Sequence, residues 1–203
     1  MNLDHLHLLI VPSSYVTESA WDLPHHPFPT AAFVLTWVLF GTDGAMTYLT
    51  REEYQLLEVN HPSWQQQAME NLRHSVAASE NVFTHFKVSD DTRRVLFLAC
   101  MHQDGIGSSR ILLANELQEA FSGGYSVALP DRSCGLIVPQ DVTAEELAGV
   151  QKLVNSMYEG ATTPMSSEVY ASADFTLPAA WTKLTNSAFS HAFLETVHAL
   201  TAG

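Results

Sequence analysis

Apolar residues along this chain gather in short runs of two periods. Ala31–Phe40 and Ala45–Leu49 are β-rich runs on either side of Gly41-Thr42-Asp43-Gly44. That pattern predicts a hairpin. Phe83–Val88 and Arg94–Met101 flank Ser89-Asp90-Asp91-Thr92 and predict a second. Tyr125–Leu129 and Gly135–Val138 flank Pro130-Asp131-Arg132-Ser133 and predict a third. Glu168–Ala173 is a further strand candidate.

Between the hairpins the period changes. Trp64, Ala68, Leu72 and Val76 fall every fourth residue, one apolar stripe of a helix over 62–77. Thr50 with Glu53, and Thr143 with Glu146, have capping-box spacing and start helices at Arg51 and near 143–158. Ile111, Leu112, Leu117 and Phe121 predict a helix from about Ser109 to Phe121, stopped by Gly123-Gly124. Trp181, Leu184, Ala188, Phe189, Phe193, Leu194 and Val197 predict a final helix over about 179–200.

Hairpins alternating with helices predict an α+β fold, with a mostly antiparallel sheet and the helices packed on it. A length of 203 residues favours a single globular domain, 1–203. Residues 1–30 carry Pro12, Pro24, Pro27 and Pro29 and read as irregular beyond Leu6–Val11, an extended arm over the core. Any boundary would fall near Ser79-Glu80-Asn81. The aromatic residues in periodic runs, Trp64 and Phe97 among them, are expected in the core.

Composition narrows the function classes. Hydrophobic residues are 46% and charged residues 15%, enough to bury a core. The formal net charge is −13. Nucleic-acid binding needs a basic face to displace counterions, so it is not expected. An anionic membrane surface would repel the chain. The longest apolar run, Ala31 to Phe40, is too short to span a bilayer, and MNLDHLHLLIVPSS lacks the basic start of a signal peptide. A soluble, cytoplasmic protein is expected.

Most residues with chemical potential crowd into one stretch: Cys100, His102, Asp104, Ser108, Ser109 and Arg110. Here an apolar strand enters the glycine-bearing loop DGIGSSR, which opens a helix. Gly105 and Gly107 permit a tight turn, free N–H groups at a helix start attract anions, Ser108 and Ser109 offer hydroxyls, and Arg110 offers a guanidinium. Asp104 and Arg132, the latter from the following hairpin, complete the candidate ligand-binding set. The spacing matches neither a Walker A loop nor a dinucleotide fingerprint. The plainer reading is a tight strand–helix turn with a serine cap. Cys100 and His102, two apart on a strand, could pair as nucleophile and base or as two zinc ligands. Cys100 and Cys134 in apolar runs read more simply as buried free thiols. The histidines, including His5, His7, His25 and His26, are spread along the chain, and no metal or cofactor is expected. Paired acids at Glu52-Glu53, Asp90-Asp91 and Glu145-Glu146 are explained by helix starts and a solvated turn.

Four stretches together resemble the bacterial YtpQ-like proteins, a family with no established activity. They are LTREEYQLL followed by WQQQAMENLRHS; DGIGSSRILL; YSVALPDRSCGLIVP; and MYEGATTPMSSEVY, covering roughly residues 45–172. The resemblance implies a fold and carries no function. Two readings of function follow. One is a noncatalytic binding or accessory protein, an immunity-type or regulatory partner of another protein. The other is a small-molecule enzyme of unknown reaction, its pocket at residues 100–110 and the 130–133 turn.

Overall fold

The computed structural model describes residues 1–18, 22–41, 43–77, 83–113, 118, 121 and 123–183. Its strands and helices in chain order are β1 (Leu6–Pro12), α1 (Ser14–Thr17), β2 (His26–Pro27), β3 (Phe33–Phe40), β4 (Met46–Tyr48), α2 (Arg51–Asn60), α3 (Trp64–Ala77), β5 (His85–Val88), β6 (Val95–Met101), β7 (Tyr125–Asp131), β8 (Cys134–Pro139), α4 (Ala144–Glu159), β9 (Val169–Ala171) and α5 (Ala179–Thr182). A 3₁₀ helix covers Gly107–Leu112.

All three expected hairpins form and, among the described residues, all strand pairings are antiparallel, so the fold is α+β as the pattern predicted. The strands make two sheets rather than one. β3 pairs with β1, β2 and β4, while β5, β6, β8, β7 and β9 lie in that order in the second sheet. The first hairpin therefore stands apart from the other two.

β1 is the main departure from the expected N-terminal arm. It pairs with β3 along its whole length, from Leu6 opposite Leu39 to Pro12 opposite Phe33. Leu6, Leu8, Leu9, Ile10 and Val11 are all buried. A strand covered on both faces shows no apolar–polar alternation, which hides it in a sequence. α3 packs on β1, and Asn71 Nδ2 donates to the Leu3 and Leu6 carbonyls at 2.6 and 2.7 Å, fixing the start of the strand.

The second sheet is two-faced, following the period of two. Leu98, Cys100, Val127, Leu129 and Ile137 join the core shared with the first sheet. Ala99, Ala128, Cys134, Leu136 and Val138 turn the other way, under Val150 and Val154 of α4. Phe97 is only partly buried beside that smaller cluster. Both capping boxes form, Thr50 with Glu53 and Thr143 with Glu146.

Trp64, Ala68 and Leu72 are buried as the stripe predicted. The first part of the expected helix over 109–121 is instead a 3₁₀ helix that starts two residues earlier, at Gly107, and ends at Leu112; Gln118 is α-helical, and residues 114–117, 119 and 120 lie outside the described ones. Every residue from Gly107 to Leu112 is buried. A segment with no solvent face has no need of the amphipathic α period, and it wedges between the two sheets instead, in contact with β1, β6 and β8. The strand expected at Glu168–Ala173 is shorter, Val169–Ala171, and turns into a 3₁₀ segment at Ser172–Phe175. Of the final helix only Ala179–Thr182 is described; residues 184–200 and the candidate boundary at 79–81 lie outside the described residues. Among the described residues no helix is long and apolar enough to cross a membrane.

Candidate functional site

The DGIGSSR loop packs against the third hairpin through its backbone. Ser108 N–H donates to the Arg132 carbonyl at 3.1 Å, and His102 N–H donates to the Ser133 carbonyl at 3.2 Å. A β-carbon at Gly107 would overlap the Ser133 carbonyl, and one at Gly135 would press on Ile111 and Ser108. These glycines serve close backbone approach. Gly105 serves the turn itself, at φ +79°.

From Ile106 to Arg110 the side chains of the loop are buried. Ser109 is fully buried, and its Oγ accepts from Ile10 N–H of β1 at 3.0 Å. This bond serves the outer edge of β1. Ser108 is also fully buried, and its Oγ has no hydrogen-bond partner among the described residues.

Arg110 is buried and donates through both terminal nitrogens to Asp104, at 3.2 and 2.6 Å. Its Nη2 also reaches Ser75 Oγ at 3.2 Å, which ties α3 to the loop. Such a forked pair to one carboxylate is the strong geometry for arginine. Burial works against ionising Asp104, but hydrogen bonds and charge from Arg110, with the Ile106 N–H, outweigh it and hold the carboxyl below its ordinary value. His7 lies in the same field: burial, the largest influence, lowers its pKa to about 4, so it is neutral at pH 7.

The two cysteines are free and buried, on opposite faces of the second sheet. Burial pushes each thiol up to about 12. The nucleophile is the thiolate, so at neutral pH neither sulfur is activated for attack or for metal ligation. Among the described residues no three His, Cys, Asp or Glu side chains are grouped to hold a metal ion.

Arg132 is placed differently from the rest of the candidate set. Its backbone bridges two segments: the carbonyl accepts from Ser108 N–H and its own N–H donates to the Thr163 carbonyl at 3.2 Å. Its neighbour Asp131 accepts from Ser133 N–H at 2.8 Å and from Thr163 N–H and Oγ1 at 3.0 and 3.1 Å. The turn between β7 and β8 and the segment after α4 therefore pack together. Burial opposes charge on Asp131, and these hydrogen bonds overcome it and lower its pKa. The half-buried Arg132 lines a cleft of 290 Å³ with Ile10, Tyr15, Thr163, Pro164 and Met165.

The structure thus brings Asp104 and Arg110 together directly and joins the loop to Arg132 by backbone alone. Sequence reasoning missed Tyr15, Thr163 and Met165, which come from segments far apart in the chain with no shared motif. None of the protein-family models, curated proteins or solved structures compared with this chain matches it.

Proposed function

We propose that this is a soluble, cytoplasmic, noncatalytic binding protein, an accessory or regulatory partner of another protein. The observation that carries this reading is the fate of the stretch from Cys100 to Arg110. Its thiol is buried and protonated, Ser109 holds β1, and Arg110 is clamped by Asp104 and Ser75. A catalytic nucleophile needs a base and access to substrate, and these groups lack one or both. The charge of −13 makes a basic protein surface the complementary partner. It also argues against nucleic acid.

The test is reconstitution with a purified basic protein found by affinity capture. A defined complex should form, its association rate should fall steeply as salt rises, and the partner should be recovered chemically unchanged. Substrate turnover by the purified chain, abolished in Cys100→Ala or Ser109→Ala, would contradict the proposal.

The small-molecule alternative draws support from one observation only, the Arg132 cleft. Half of the pocket it assumed, the loop itself, is turned into the fold.

A further inference from the structure

The ion pairs among the described residues engage Arg51, Arg73, Arg94 and Arg110 with Asp22, Glu70, Glu146 and Asp104. None engages Arg132. In a chain with 22 acidic residues against 9 basic ones, an arginine in a concave site without a carboxylate stands out. The nearest acid in sequence, Asp131, is occupied by Ser133 and Thr163.

The cleft around Arg132 joins three separate segments. β1 supplies Ile10, Val11 and Pro12; α1 supplies Tyr15; the chain after α4 supplies Thr162 to Met165. Its lining is mostly apolar, from Ile10, Val11, Pro12, Pro164 and Met165, with Tyr15, Thr162, Thr163 and Arg132 as the polar residues. The Arg132 guanidinium also lies within hydrogen-bonding reach of the phenol of Tyr48, and Tyr15 adds to the field on that phenol. An apolar wall with a few convergent polar groups is the common form of a small-ligand site.

We propose that the Arg132 cleft binds a small monocarboxylate with a compact apolar body, the carboxylate on the Arg132 fork and the body against Ile10, Pro164 and Met165. A planar guanidinium matches a carboxylate in two parallel hydrogen bonds. The charge of the ligand follows from its surroundings. Asp131 is ionised one residue away and the whole chain is acidic, so a dianion such as phosphate meets repulsion that a monoanion meets less. The size follows from the volume: 290 Å³ sits at the lower end of ligand sites, below drug-sized molecules. The site is an addition to the proposed protein partnership and does not depend on it.

The experiment is titration of the full chain with isovalerate, benzoate, their neutral amides, and inorganic phosphate, read by calorimetry and by NMR shifts. Saturable binding of at least one carboxylate is expected at millimolar concentration or below. The matching amide should bind about tenfold more weakly or worse, as should the carboxylate to Arg132→Gln. Phosphate should bind more weakly than the best carboxylate. Arg93→Gln, an exposed arginine on the second hairpin, should bind as the parent does. The backbone hydrogen bonds of Arg132 survive a side-chain change, and Arg132→Lys, which keeps the charge without the fork, is the second variant if Arg132→Gln fails to fold. Any one of four results overturns the proposal: no carboxylate bound, amide and carboxylate bound equally, phosphate bound best, or folded Arg132 variants binding undiminished. None of these touches the protein-partner proposal, which is read from complex formation between macromolecules.

Discussion

Gly107 lies directly beneath the carbonyl of Ser133, so close that a β-carbon on residue 107 would overlap its oxygen. The contact locks the loop after β6 onto the turn between β7 and β8. It gives the second glycine of DGIGSSR a packing role in place of anion binding.

Gly107→Ala should therefore destabilise the protein by about 3 kcal/mol, the upper range for forced overpacking, because the obstacle is backbone and has little room to give. Gly149→Ala is the control. It lies inside α4 with nothing within 4 Å of the added carbon, so it should stabilise by about 0.5–1 kcal/mol. Denaturant midpoints decide both, and a neutral Gly107→Ala would refute the lock.

The Asp104–Arg110 pair should give a pH signature. The folded pKa of Asp104 is depressed, so its stabilisation is complete above the ordinary carboxylate pKa of about 3.9 and disappears as pH falls through the lower folded value. At pH 7, Asp104→Asn should cost about 2–3 kcal/mol. That is below the range for a fully buried pair, because the Asp104 side chain is 38% exposed and solvent screens it. The difference between parent and variant should narrow steadily on acidification. A difference that is flat down to strongly acid pH would show that the pair contributes nothing through its charge.

Trp64→Ala should destabilise by about 3–5 kcal/mol, since Trp64 is 1% exposed and packs edge-on against Trp37 and Tyr54. Phe97→Ala should cost less, because Phe97 is only partly buried. Equal losses in chemical denaturation would contradict this ranking.

Cys100 and Cys134 should resist a thiol reagent in the native protein and react only as it unfolds. Both are 2% exposed or less, and burial holds both protonated at pH 8. Prompt modification of either thiol at native pH, without loss of structure, would reopen the nucleophile reading.

Local signals in the sequence predicted local structure well. Thr50 with Glu53 and Thr143 with Glu146 form the capping boxes that their spacing announces, because a cap is a bargain among four neighbouring residues. The three hairpins are equally short-range. What the sequence concealed is long-range. The pairing of β1 with β3 joins residues 21 to 33 apart, and a strand buried on both faces carries no alternation to betray it. At the candidate site, Arg110 looked like a ligand-binding cation because a sequence does not show which carboxylate it meets. The cleft of Arg132 was half legible: the arginine was named, but Tyr15, Thr163 and Met165 reach it only through tertiary packing.

The central claim is that the reactive-looking stretch from Cys100 to Arg110 is part of the framework. Its most direct test is the unfolding free energy of the Ser109→Ala/Arg110→Ala double variant. The variant leaves Ile10 N–H of the buried strand without its partner and Asp104 without its counter-charge. A loss of about 3 kcal/mol or more is predicted, with partner binding per folded molecule unchanged. Stability equal to the parent's, with partner binding abolished, would contradict the account and make the loop a recognition site.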